Sequence, residues 1–175
     1  MRQKRSALTE QVKRERAEAF LQIVSQHPIY VSARHLGLYH ALPSELATKG
    51  LVQHAWSERK KVYLPVTCQE SGVLRFALYT EGTVVEKTKL GFYQPLATQE
   101  NTVVVSKLEC VVVPAVAVDK DGYRLGFGQG WYDRTFNANQ NKAKPYLMYV
   151  GFKENLCDNV WPQKHDVKAD EVIIV

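Results

Sequence analysis

The stretch Cys110–Phe136, CVVVPAVAVDKDGYRLGFGQGWYDRTF, constrains the chain more than any other part of it. Apolar residues run from Val111 to Val118, interrupted only by Pro114, which predicts a buried strand over about Glu109–Val118. Asp119-Lys120-Asp121-Gly122 is a turn signal. Arg124 and three glycines at every second position follow: Gly126, Gly128 and Gly130. Trp131, Tyr132, Asp133 and Arg134 then open a helix expected over Gly130–Asn139. Strand, glycine loop and helix together can hold a phosphate, because backbone N–H groups face the anion and glycine lets the main chain approach it.

The remaining elements alternate. A helix capped by Thr9 is expected to run to about Gln26, with Val12, Ala19, Phe20, Ile23 and Val24 as its apolar stripe and His27-Pro28 as its stop. Leu36–His40 reads as a strand. Thr48 is expected to cap a second helix that buries Leu51, Val52, Ala55 and Trp56. Lys61–Val66, stopped near Pro65, and Val73–Tyr79 read as strands. The segment Thr83–Glu100 reads as irregular, and Tyr146–Gly151 and Glu171–Val175 as further strands. The expected class is therefore α/β: one three-layer domain over residues 1–175, with a mostly parallel, Rossmann-like sheet and helices on both faces. Ligands of such sheets gather at the carboxyl ends of the strands.

Composition narrows the partners. The 175 residues carry a net charge of +5, which suits an anionic ligand, but Arg2, Lys4, Arg5, Lys13, Arg14 and Arg16 also fit a solvated helix face. Cys68, Cys110 and Cys157 lie far apart, with no CxxC pattern, so neither a zinc site nor a disulfide framework is suggested. A reducing cytoplasm is the expected compartment. No apolar run approaches the length of a membrane span, and the basic N-terminus lacks the apolar core of a signal peptide.

Gly126-Phe127-Gly128-Gln129-Gly130 is neither GxxxxGK[ST] nor GxGxxG. Alone it fits a flexible turn as well as a phosphate cradle. Its neighbours favour the cradle: Arg124 offers a planar fork for phosphate oxygens. Asp133 is either a helix-end dipole partner or a carboxylate for Mg²⁺, which binds through one or two carboxylates plus substrate phosphates. Trp131 and Tyr132 can divide between the core and a pocket. His165–Glu171 reads as solvated surface or, through Asp166 and Asp170, as further metal carboxylates. Glu45 follows the Leu36–His40 strand and is a candidate to hydrogen-bond a substrate amide or ring nitrogen. No histidine pair has metal-ligand spacing and no GxSxG element is present, so catalysis by positioning and electrostatics is expected.

The segment VPAVAVDKDGYRLGFGQGWYDR resembles the signature of the 5-formyltetrahydrofolate cyclo-ligase family, also called 5,10-methenyltetrahydrofolate synthetases. The likeness extends along nearly the whole chain, through Tyr39–Thr48, Lys60–Pro65, Phe92–Pro95 and His165–Val172. The resemblance implies an ATP- and Mg²⁺-dependent ligase acting on two small molecules, with neither nucleic acid nor membrane as a partner, in a monomeric cytoplasmic protein. It implies that Arg124, Leu125, Gly126, Phe127, Gly128, Gln129, Gly130, Trp131 and Tyr132 line the ATP site, with Arg124 and Tyr132 in catalytic roles. Phe127–Trp131 would also border the folate, together with Glu45 and His40, and Asp133 and Asp166 would hold Mg²⁺.

Three departures stand out. Trp131 replaces the family's Tyr or Phe, and Gln129 stands where Gly or Lys is common. The basic K-x-x-x-R of the family's first helix has no counterpart, and Arg2, Lys4 and Arg5 are the candidates to replace it. Two other readings remain: a relative that keeps the nucleotide loop but has altered or lost activity, and a basic RNA-binding protein. Against the latter, the aromatics do not interleave with basic residues along a strand.

Overall fold

The computed structural model describes residues 7–89, 91–138 and 144–175; Arg2, Lys4, Arg5 and Asn139 lie outside these. Helix α1 (Glu10–Ser25) begins where Thr9 Oγ1 accepts from Val12 N at 3.3 Å, as the capping residue predicts. Its buried stripe is narrower than expected. Phe20 and Val24, one turn apart, are fully buried, whereas Ile23 is 47% exposed. His27-Pro28 does more than end this helix. His27 Nδ1 accepts from Ile29 N and caps a short helix α2 (Pro28–Ser32), with Pro28 in the first turn where its missing N–H costs nothing. Helix α3 (Lys49–Ser57) packs beside α1. Thr48 occupies its cap position but does not cap it: the hydroxyl donates to Tyr39 O instead.

The central sheet has seven strands in the order β11-β10-β7-β1-β2-β3-β6. They are β1 (His35–Gly37), β2 (Lys61–Cys68), β3 (Val73–Tyr79), β6 (Thr102–Val103), β7 (Cys110–Pro114), β10 (Tyr146–Gly151) and β11 (Glu171–Ile174). The pairings from β11 to β2 are parallel; β3 and β6 add antiparallel pairs at one edge. Strand β2 runs through Pro65 rather than stopping there. Tyr63 O accepts from Leu38 N on the β1 side, so two residues later the missing N–H of Pro65 also faces that side, where β1 has already ended at Gly37. The Thr83–Glu100 stretch is less irregular than its sequence suggests, since β4 (Val85–Lys87) and β5 (Tyr93–Pro95) form an antiparallel hairpin within it.

The long strand expected over Glu109–Val118 is two strands. Strand β7 leaves the sheet at Pro114, and β8 (Ala117–Val118) turns away to pair with β9 (Arg124–Leu125). Helix α4 (Trp131–Asn137) lies against β3, on the opposite face of the sheet from α1 and α3. Each face has its own core. Phe20, Leu36, Leu51, Leu64 and Met148 belong to one; Phe76, Val113, Val118, Phe136 and Tyr149 belong to the other. Burying a single large apolar side chain contributes about 1.5–3 kcal/mol, so these cores fix where the loop between β9 and α4 can lie.

Candidate active site

The loop from β9 to α4 is shaped by its glycines. A Cβ on Gly126 would lie 2.6 Å from Arg124 Nη1, so the guanidinium could not occupy its present position beneath any other residue. Gly128 and Gly130 adopt φ of 80° and 61°, and Gly130 leads directly into α4.

Arg124 turns back beneath the loop to meet the first turn of α4. Its Nη2 donates to Asp133 Oδ2 at 3.0 Å, and the two residues are only 8% and 9% exposed. The guanidinium lies between two aromatic rings, 5.3 Å from the Tyr132 centroid and 5.2 Å from that of Tyr149. Nε is buried without a partner, so one donor of the fork is uncommitted. Burial pushes the Tyr132 hydroxyl well above the ordinary phenol range, opposed by the Arg124 charge and reinforced by Glu45. Burial likewise pushes the Tyr149 hydroxyl up to about 12 despite the same Arg124 charge. Both phenols are therefore neutral at physiological pH.

Of the two aspartates expected at a metal, Asp133 meets the backbone of Val167, the residue after Asp166. Val167 N donates to Asp133 Oδ1 at 3.2 Å, and Val167 O accepts from Tyr149 Oη at 2.6 Å. The neighbouring Asp166 is held in its turn by Gln163 N, which donates to Oδ2 at 2.7 Å. Both carboxylates act on the Tyr149 hydroxyl, raising its pKa. Each carboxylate already accepts hydrogen bonds, so a Mg²⁺ ion beside them would draw its remaining ligands from phosphate and water. Among the described residues no group of three or more His, Cys, Asp or Glu side chains could do so. Asp170 belongs elsewhere: its Oδ2 accepts from Leu147 N at 2.8 Å and ties β10 to the start of β11.

Glu45 and His40 follow β1, at the carboxyl end of the sheet. Glu45 is 8% exposed, and its Oε2 accepts from Leu42 N at 2.8 Å, so it is not a solvent-facing loop residue. His40 stacks on Tyr93 with ring centroids 4.9 Å apart, and its Nδ1 is buried without a partner. Phe127 and Leu125 are 56% and 50% exposed, and Gln129 is exposed beside them, leaving the outer face of the loop open. Trp131 and Tyr132 both pack partly against the core on this side of the sheet.

Tyr149, Val167 and Tyr93 were not expected from the sequence. Tyr149 sits in an apolar strand, where nothing local marks it as an arginine's neighbour. Two cavities lie nearby and far off. One of about 300 Å³ adjoins Thr67, Lys87 and Gln94, next to the Tyr93 that meets His40. A larger one of about 710 Å³ opens at the amino ends of β1 and β2, between Arg34, Arg59 and Lys61. It contains none of the Arg124–Asp133 constellation, so chemistry rather than volume locates the site.

The class is that of an α/β protein with a mostly parallel sheet, whose candidate site is a glycine loop over a buried arginine–aspartate pair. The 5-formyltetrahydrofolate cyclo-ligase family model matches residues 1–175, and the chain belongs to that family. It is 35% identical to the 5-formyltetrahydrofolate cyclo-ligase of Haemophilus influenzae, over 70% of this chain and 68% of that one. It is 26% identical to the mouse 5-formyltetrahydrofolate cyclo-ligase over 99% of this chain and 89% of that one. Its fold is that of the 5,10-methenyltetrahydrofolate synthetase of Aquifex aeolicus, with a TM-score of 0.79, 22% identity and coverage of 98% and 84% of the two chains.

Proposed function

We propose that this protein converts 5-formyltetrahydrofolate to 5,10-methenyltetrahydrofolate at the expense of ATP, with Mg²⁺. The formyl oxygen attacks the γ-phosphorus and ADP leaves. N10 then attacks the activated formyl carbon, the carbon–oxygen bond breaks as phosphate departs, and the N10 proton is lost. No enzyme nucleophile is needed, so the protein's task is alignment and charge stabilisation. Mg²⁺ held by Asp133 and Asp166 would neutralise charge on the transferring phosphoryl group.

The observation that carries this reading is the buried Arg124–Asp133 pair, 3.0 Å apart beneath the glycine loop. Arg124 supplies a permanent positive charge beneath the loop, which suits phosphate held against the loop backbone above it. The neutral Tyr132 hydroxyl is a donor rather than a second anion, which suits a site for an anionic substrate. Glu45 is suited to the pterin's ring N–H groups, with His40 beside it. Phe127–Trp131 would separate and align the two substrates. Its partners are taken to be these two small molecules, acting in a monomeric cytoplasmic protein.

The test is direct. Purified protein with ATP, Mg²⁺ and 5-formyltetrahydrofolate is expected to form methenyltetrahydrofolate, followed by its absorbance, with one ADP per product. ATP binding without product would instead identify a relative that has lost the activity.

A further inference from the structure

Arg134 is the fourth residue of α4, and nothing above gives it a role. It points out of the helix and back over the loop. Nη1 donates to Gln129 O at 2.7 Å, and Nε donates to Gly72 O at 2.7 Å. Gly72 lies in the turn that joins β2 to β3, at the carboxyl end of β2. The same guanidinium lies 4.9 Å from the Trp131 ring centroid. One side chain therefore bridges the glycine loop, the first residue of α4 and a turn more than fifty residues away in the chain. Thr135 makes a second stitch, to β3 just beyond that turn: its Oγ1 accepts from Leu74 N at 2.7 Å and donates to Trp131 O at 2.6 Å.

We propose that Arg134 is the positioning residue of the glycine loop, a two-point latch that holds the Gln129 peptide against the β2–β3 turn and thereby sets the aim of the loop's N–H groups. Gly128 and Gly130 sit in left-handed conformations on either side of Gln129, so the loop's own backbone offers little resistance to swinging. A planar guanidinium can bond two carbonyls that diverge from it; a lysine ammonium is a point charge and cannot reproduce the fork. Arg134 commits Nε and Nη1 to backbone carbonyls, one of them in the loop, so it acts through the loop as a positioning residue. The inference rests on the reading of the loop as the ATP site, and the experiment separates the two.

The variants are Arg134→Met and Arg134→Lys in the full chain, each assayed for both substrates and by ¹⁵N relaxation of the loop amides. For Arg134→Met, the KM for ATP is expected to rise about tenfold, with kcat and the KM for 5-formyltetrahydrofolate within about twofold of wild type. Order parameters at Gly128 and Gly130 are expected to fall from about 0.85 to below about 0.6, with those of Tyr146–Gly151 unchanged. Arg134→Lys, which keeps the charge and most of the volume, is expected to lie between the two and carries the test if the methionine variant does not fold. An unchanged loop and unchanged ATP KM in Arg134→Met would overturn the latch. So would an Arg134→Lys protein indistinguishable from wild type, or a rise in both KM values with order lost throughout the sheet. If the wild-type protein fails to turn over ATP, the functional reading falls, while the relaxation measurement still decides the latch.

Discussion

Arg124 and Asp133 form an ion pair that joins β9 to the first turn of α4 across the glycine loop, and each residue balances a charge the other could not leave buried alone. Their nine-residue separation spans the whole loop. The pair therefore fixes the loop's two ends relative to each other as well as the charge beneath it.

Asp133→Asn is the sharpest probe of that arrangement. Removing one partner strands the arginine charge, at a cost of about 3–5 kcal/mol for a buried pair. Thermal stability is expected to fall accordingly, and ATP-dependent turnover by about 100-fold or more, with a higher Mg²⁺ requirement. A lower melting temperature with unchanged turnover and Mg²⁺ dependence would make Asp133 a structural residue alone.

Gly128→Ala separates ligand approach from packing. A Cβ at Gly128 would meet nothing within 4 Å, so only its φ of 80° opposes the change. The stability cost is expected to be about 1 kcal/mol. On the proposal that this loop receives ATP, the KM for ATP is expected to rise about tenfold, as steady-state kinetics with varied ATP would reveal. An ATP KM equal to wild type would mean that this face of the loop does not meet phosphate.

Tyr149 predicts an alkaline limit to stability. Its folded pKa is about 12, raised chiefly by burial from an ordinary value of 10.0. The unfolded chain therefore loses this proton first, and stability present below about pH 10 is lost as pH rises toward about 12. Tyr149→Phe is expected to flatten the slope of melting temperature against pH over that window. Unchanged slopes would indicate that the hydroxyl ionises freely in the folded protein.

The three thiols are predicted to react in a fixed order. Hydrogen bonding to the Ser71 side chain, then to its backbone, draws the Cys68 thiol below its ordinary value. Burial pushes Cys157 up and pushes Cys110 up to about 12. Iodoacetamide at about pH 8 is expected to label Cys68 first, about tenfold faster than Cys157, and Cys110 only on unfolding. Peptide mapping by mass spectrometry gives the order; early labelling of Cys110 would contradict its burial.

Much of the architecture was legible locally. Thr9 announced its helix, and the apolar runs of β3, β7, β10 and β11 announced theirs, because capping and burial act over a few residues. Failures fell where distant contacts overrule local preference. Thr48 has a capping side chain but spends it on Tyr39 O, nine residues earlier. The β4–β5 hairpin is made of short strands whose pairing Gln94 anchors by accepting from Thr67 N in β2. Ile23 keeps helical spacing with Phe20 and Val24, yet the axis of α1 turns it to solvent.

The candidate site divides the same way. The order and spacing of Arg124, the three glycines and Asp133 are local facts, and the sequence by itself determined the chemistry they can support. Only the tertiary structure decided that Arg124 lies between Tyr132 and Tyr149, that Val167 N donates to Asp133, and that Arg134 ties the loop to Gly72. Each joins residues far apart in the chain through a side chain whose direction is set by packing on the sheet. A one-dimensional pattern records which groups are available; the geometry that makes them act together exists only once both faces of the sheet are covered.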